Sequence, residues 1–139
     1  DNALQETQNA FHGIYSIDDL PKHIPTRPFL IIANIHTKNL LGEHWIVIFI
    51  DKNKNGEIFD SLALPVSHLL TQWMNKFTVK WKCNKRTLQH PLSSTCGAFT
   101  LYFILNRLYV PNMDSITATF DSHLATNERF LESFYESLK

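Results

Sequence analysis

Apolar residues form near-continuous runs in two places, 29–35 and 45–50, and recur at helical intervals in three others. The runs Phe29-Leu30-Ile31-Ile32-Ala33-Asn34-Ile35 and Trp45-Ile46-Val47-Ile48-Phe49-Ile50 do not alternate, so both read as strands buried on both faces. Asp51-Lys52-Asn53-Lys54-Asn55-Gly56 is a turn, and Glu57-Ile58-Phe59-Asp60 follows it as a short strand, which makes a hairpin. From Pro65, which suits a first helical turn, Val66, Leu69, Leu70, Trp73, Met74 and Phe77 recur at helical spacing. Phe77 to Lys82 alternates apolar and basic residues as an edge strand does. Cys96 to Leu108 is apolar almost all round and belongs in the middle of a fold; Ser94 or Thr95 can cap it. A last helix, about Asn127 to Leu138, sets Phe130, Leu131, Phe134, Tyr135 and Leu138 on one face. Residues 1–10 are polar and compatible with a helix, and Phe11 to Pro28 reads as loop, punctuated by Pro21, Pro25 and Pro28. Together these elements predict an α+β fold with a central helix on a mixed, largely antiparallel sheet.

The 139 residues support one core, so residues 1–139 are expected to form a single domain. Hydrophobic residues at 44% and charged residues at 19% describe a globular chain rather than a disordered one. Thirteen basic residues balance thirteen acidic ones, which argues against broad electrostatic capture of nucleic acid or an anionic membrane. Lys76, Lys80, Lys82, Lys85 and Arg86 form a basic cluster that reads as a solvated strand and loop. Two cysteines make no disulfide scaffold, so a reducing compartment is the default. No apolar run reaches the ~20 residues of a membrane span, and no signal peptide is visible. The start at Asp1, without an initiating Met, suggests a domain trimmed or released from a longer chain. No glycine-rich phosphate loop appears, so nucleotide use has no support.

The chemistry gathers around Cys96. A thiol in the first turn of a helix sits at the positive end of its dipole, which favours thiolate. A cysteine nucleophile also needs a base to take its proton and a third group to orient the base. His44 opens the second buried strand and Asp60 closes the third, so a hairpin brings them to one end of a sheet. The register decides whether they meet. A two-residue turn at Asn55-Gly56 would set Asp60 opposite Asp51, roughly 23 Å along the strand from His44. A four-residue loop, Lys52 to Asn55, would set Asp60 opposite Val47 and cut the offset to roughly 10 Å. The triad requires the longer loop. Gln89 lies just before the nucleophile's helix, where its amide can donate to an oxyanion beside the Cys96 N–H. Gly97 leaves room for a substrate backbone, and Trp45 can wall the imidazole. Cys83 reads as a passive thiol, and Cys83, His90 and Cys96 lack the paired spacing of a zinc site, so no metal is expected. His12, His23, His36, His68 and His123 are expected on surfaces or in loops.

His44-Trp45, then Phe59-Asp60-Ser61, Gln89 and Thr95-Cys96-Gly97 resembles the His-Trp, acid, Gln, Cys-Gly series of the adenain-like and ubiquitin-like-protein-specific cysteine proteases. Phe11-His12-Gly13-Ile14-Tyr15 and Asp18-Asp19-Leu20-Pro21 resemble the amino-terminal loop of adenovirus-type maturation proteases and their Polinton or Maverick relatives. The six residues between Gln89 and Cys96 are similar to the adenovirus branch; the deconjugating branch has a shorter interval and an Asp where Thr95 stands. The resemblance implies Cys96 as nucleophile, His44 as general base, Asp60 as orienting acid and Gln89 in the oxyanion hole, with Trp45 and Gly97 at the substrate. It implies a monomeric endopeptidase that matures viral or virus-like element precursor proteins at small-residue, Gly-containing sites, inside a virion or host cell. Removal of ubiquitin-like modifiers, or a silent binding module of the same fold, are the competing readings. The disulfide-joined activating peptide and the DNA used by adenovirus-type enzymes are not carried over to Cys83 or to a chain of zero net charge, and no cofactor is expected.

Overall fold

The computed structural model describes residues 2–35, 44–91, 93 and 95–139. Strands β1 (Phe11–Ser16), β2 (Phe29–Ile35), β3 (His44–Ile50), β4 (Asn55–Phe59) and β5 (Lys80–Cys83) lie side by side in chain order. The sheet is mixed: β2–β3 and β3–β4 are antiparallel, whereas β1–β2 and β4–β5 are parallel. The mixed sheet expected from the sequence is thus antiparallel at its centre and parallel at both margins. Each parallel margin needs a crossover. Residues 17–28 supply one and helix α2 (His68–Phe77) lies within the other.

Helices on both faces explain why β2 and β3 do not alternate. Leu30, Val47, Phe49 and Phe59 pack with Phe99 and Phe103 of α3 (Cys96–Arg107). Phe29, Ile31, Ile46, Ile48 and Ile58 pack with Leu70, Trp73 and Met74 of α2. A sheet covered on both sides excludes water from both sets of side chains, so no polar face is needed. Around α3 lie α1 (Asn2–Ala10), the short α4 (Met113–Thr117) and α5 (Leu124–Ser137).

The structure revises several boundaries. Phe11 to Ser16, expected as loop, is a strand; its register shifts between Phe11 and Ile14, and Gly13 has φ +113°, which breaks the two-residue alternation a strand would show. The helix expected from Pro65 starts at His68, because Ser67 accepts the Leu70 N–H and caps it there. That helix runs through Phe77, so the edge strand begins at Lys80, three residues late. The last helix begins at Leu124; its Leu131 is buried, but Phe130, Tyr135 and Leu138 are 40–50% exposed. Helix α4, capped by Asn112 on the Ser115 N–H, is too short to leave a periodic signal. Ser94 and His36 lie outside the described residues.

The β3–β4 turn carries the largest correction. Val47 pairs with Phe59, and the Asp51 N–H donates to the Asn55 carbonyl, closing a three-residue loop with Lys54 at φ 65°. This is the common combination of a turn with one left-handed residue. One step further along the ladder, Asp60 lies across from Ile46 rather than Val47. Its distance along the strand from His44 is two residues, roughly 7 Å. Residues two apart share a side of the sheet, so Asp60 falls on the same side as His44. Opposite Val47 it would have pointed the other way.

Two long-range devices hold the hairpin. The Glu57 carboxylate accepts two bonds from the Arg107 guanidinium, at 2.6 and 2.9 Å, both groups buried. Gly56 sits against α2 and β5: a Cβ there would meet Met74 Cε at 2.6 Å and Thr78 Cγ2 at 2.7 Å. The Met74 tip can move, but Thr78 branches at Cβ and cannot. Gly56→Ala is expected to lower stability by about 1–3 kcal/mol, read as a shift in the urea midpoint at unchanged slope.

Candidate active site

The end of the hairpin and the start of α3 converge. His44 Nε2 donates to Asp60 Oδ1 at 2.6 Å. The Cys96 sulfur lies within hydrogen-bonding reach of the His44 ring. With Nε2 committed to Asp60, the other ring nitrogen, Nδ1, is the one left to exchange a proton with sulfur. His44, Asp60 and Cys96 are only 2%, 5% and 6% exposed, so these charges interact with little water between them.

The electrostatics follow. Burial works against a charged imidazole, but the Asp60 and Cys96 hydrogen bonds and the negative charge of both groups outweigh it. The His44 pKa rises from 6.5 to about 9. Burial likewise works against a thiolate. The His44 hydrogen bond, the Trp45 N–H, the imidazolium charge and the Gly97 N–H overcome it and hold the Cys96 pKa below its ordinary value. Both shifts favour the thiolate–imidazolium form of the pair over the neutral form.

Asp60 is fixed by more than the histidine. Its Oδ1 accepts the Leu62 N–H at 2.8 Å and its Oδ2 the Leu64 N–H at 3.1 Å. The Asn84 side chain closes a ring on the Asp60 backbone, accepting from its N–H at 2.8 Å and donating to its carbonyl at 2.6 Å. Sequence reasoning missed Asn84: it is 24 residues from Asp60 and carries no local signal.

Gln89 is 1% exposed and its amide is held at both ends. The Ser61 hydroxyl donates to Oε1, and Nε2 donates to the Ser93 carbonyl at 2.9 Å. The Ser61 carbonyl also accepts the Leu88 and Gln89 N–H groups. Because Ser61 occupies Oε1, Nε2 is the donor end and keeps a second proton for another acceptor. Ser61 directly follows Asp60, so one short segment serves both the carboxylate and the amide.

Trp45 and Gly97, neighbours of His44 and Cys96, line an apolar cleft of about 420 Å³ between α1, β1, β2 and α3. Apart from its chain neighbours and its own helix backbone, a Cβ on Gly97 would meet no atom within 4 Å. Neither Cys83 nor Cys96 is in a disulfide. Among the described residues no group of three or more His, Cys, Asp or Glu could hold a metal ion, and no helix is long and apolar enough to cross a membrane.

No curated protein matches the chain at a significant level. The crystal structure of the selenomethionine ASFV pS273R protease is similar, with a TM-score of 0.50 and 26% identity over 58% of this chain and 34% of that one. The chain therefore spans about a third of that protease's length. The central domain of an uncharacterized Legionella pneumophila protein aligns over 94% of this chain and 90% of its own, at 13% identity and a TM-score of 0.48. The profile of the Ulp1 protease family, C-terminal catalytic domain, matches residues 26–116, a span that holds His44, Asp60, Gln89 and Cys96. The chain therefore belongs to the Ulp1 protease family of cysteine proteases.

Proposed function

We propose that residues 1–139 form a cysteine endopeptidase domain in which Cys96 is the nucleophile, His44 the base and acid, Asp60 the orienting carboxylate and Gln89 an oxyanion donor. The observation that carries this reading is the chain of contacts from sulfur to imidazole to carboxylate: Cys96 bonds the His44 ring, and His44 Nε2 lies 2.6 Å from Asp60 Oδ1. The Cys96 thiolate attacks the scissile carbonyl, and the Cys96 N–H and Gln89 Nε2 receive the oxyanion. The His44 imidazolium then gives its proton to the leaving amine, and water activated by the neutral ring frees the acyl group. Substrate enters past Trp45 and Gly97.

The substrate class we infer is a polypeptide precursor of a virus or virus-like element, cut at small-residue, Gly-containing sites during capsid maturation. Likeness to a viral protease and an unobstructed Gly97 beside the nucleophile support it. The family match itself favours a second reading, removal of ubiquitin-like modifiers. Fluorogenic peptides from Gly-containing capsid precursors, compared with peptides ending in the Gly-Gly of a modifier, separate the two by relative kcat/KM.

The pH dependence tests the mechanism. His44 is charged below about 9, and Cys96 is ionised above its lowered pKa, so the ion pair exists between these limits. Iodoacetamide alkylation of Cys96 is expected to stay fast below the ordinary thiol range. In His44→Ala the buried thiol loses its cation, and its titration should move above the ordinary value. Peptide hydrolysis should be bell-shaped, falling above about pH 9 as His44 loses its proton. Identical alkylation profiles for the two proteins would rule out the ion pair.

A further inference from the structure

We propose that Glu128, on α5, is a positioning residue that sets the oxyanion donor Gln89, a role that rests on the protease reading above. Thr95 occupies the N-cap of α3, where a threonine oxygen ordinarily accepts a first-turn N–H. Here it makes no such bond. Its hydroxyl instead donates to Glu128 Oε2 at 2.5 Å, while Glu128 Oε1 accepts the His90 N–H at 3.4 Å. One carboxylate thus grips both ends of the stretch that joins Gln89 to Cys96.

A carboxylate suits this place because both groups it holds are donors and an ionised carboxylate only accepts. The grip reaches Gln89 through Ser93. The Ser93 hydroxyl lies 2.8 Å from Thr95 Oγ1, and the Ser93 carbonyl takes the Gln89 Nε2 bond. The preceding residue of α5, the buried Asn127, donates to the Leu88 carbonyl at 3.0 Å. Consecutive α5 residues therefore hold the chain on both sides of Gln89.

Without Glu128 the Thr95 and Ser93 hydroxyls lose their anchor, and the Ser93 carbonyl that holds the Gln89 amide is free to shift.

The test compares wild type, Glu128→Ala, Glu128→Gln and Thr95→Val by steady-state kinetics on one peptide, by peptide-aldehyde affinity and by Cys96 alkylation. In Glu128→Ala, kcat is expected to fall about 10–100-fold with KM within about twofold, since small misplacement of a catalytic donor costs this much. Aldehyde affinity should fall in parallel, because that adduct carries the oxyanion. The alkylation rate and its pH profile should not move, since the dyad is untouched. Glu128→Gln should recover most of the loss, as its amide oxygen still accepts from Thr95. Thr95→Val should show the same split at smaller amplitude, and it reads the grip even if Glu128→Ala fails to fold. Turnover of Glu128→Ala and Thr95→Val within twofold of wild type would overturn the proposal, as would a loss of alkylation matching the loss of kcat. A wild-type thiol that alkylates at low pH while the protein cleaves no peptide would overturn the protease reading instead, and aldehyde affinity would still report on Glu128.

Discussion

Cys96→Ala is expected to cut peptide hydrolysis by roughly 10⁴-fold or more, because removing the nucleophile of a coupled triad leaves only the contribution of binding and the oxyanion site. The substitution is small. Cys96 stands in the first turn of α3, and alanine keeps the helix and loses one sulfur beside Gly97, which lines the cleft. The fold should therefore persist, with an unchanged far-ultraviolet circular dichroism spectrum and peptide binding that remains measurable. His44 keeps its Asp60 bond in the variant, so its ring stays in place without a partner to deprotonate. Retained turnover in a folded Cys96→Ala protein, at more than about a hundredth of wild type, would exclude a covalent mechanism at this residue.

Breaking the Glu57–Arg107 pair is expected to cost about 3–5 kcal/mol for either single truncation, Glu57→Ala or Arg107→Ala, because each leaves a buried charge without its partner. The pair joins the middle of the sheet to the far end of α3. The guanidinium also stacks on the Phe49 ring, 4.2 Å from its centroid, and donates to the Val110 carbonyl at 3.0 Å. Glu57 Oε2 in turn accepts the Met113 N–H at 3.2 Å, which anchors α4. The double replacement Glu57→Leu, Arg107→Met should recover only part of the loss: it removes both charges but leaves the Met113 N–H and the Val110 carbonyl without partners. Urea denaturation of the three proteins measures this. Single variants within about 1 kcal/mol of wild type would show that the pair is solvated in practice. The pair also bears on the site, since Glu57 lies three residues before Asp60 and Arg107 closes the helix that Cys96 opens. A helix loosened at its far end would carry the nucleophile with it.

Much of the site was legible because its residues sit at element ends. A histidine opening a buried strand, an acid closing the next and a cysteine opening an apolar helix are positions where a polar group can reach outward without breaking a core. The buried strands were legible for a related reason, since a run of Val, Ile and Phe without alternation has few uses other than a sheet covered on both faces. Arg107 left a signal that could have found the pair: a charge at the end of a helix that is apolar almost all round calls for a buried partner. Asn84, Ser61 and Glu128 left none. Each is an ordinary polar residue, and its importance lies in a partner 24 to 33 residues away.

Patterning along the chain determined that this protein would bury a hairpin and a central helix, and that a thiol, an imidazole and a carboxylate would stand at their ends. Whether the last two face each other was decided by one residue of register, and that depended on a left-handed Lys54 in a three-residue turn, which no alternation of apolar and polar positions records. The fixing of the carboxylate by Asn84, of the amide by Ser61 and of the Thr95 hydroxyl by Glu128 likewise belongs to the folded molecule alone. Local sequence specifies dihedral preferences and burial, whereas a hydrogen bond between distant segments exists only once packing has brought its donor and acceptor within about 3 Å.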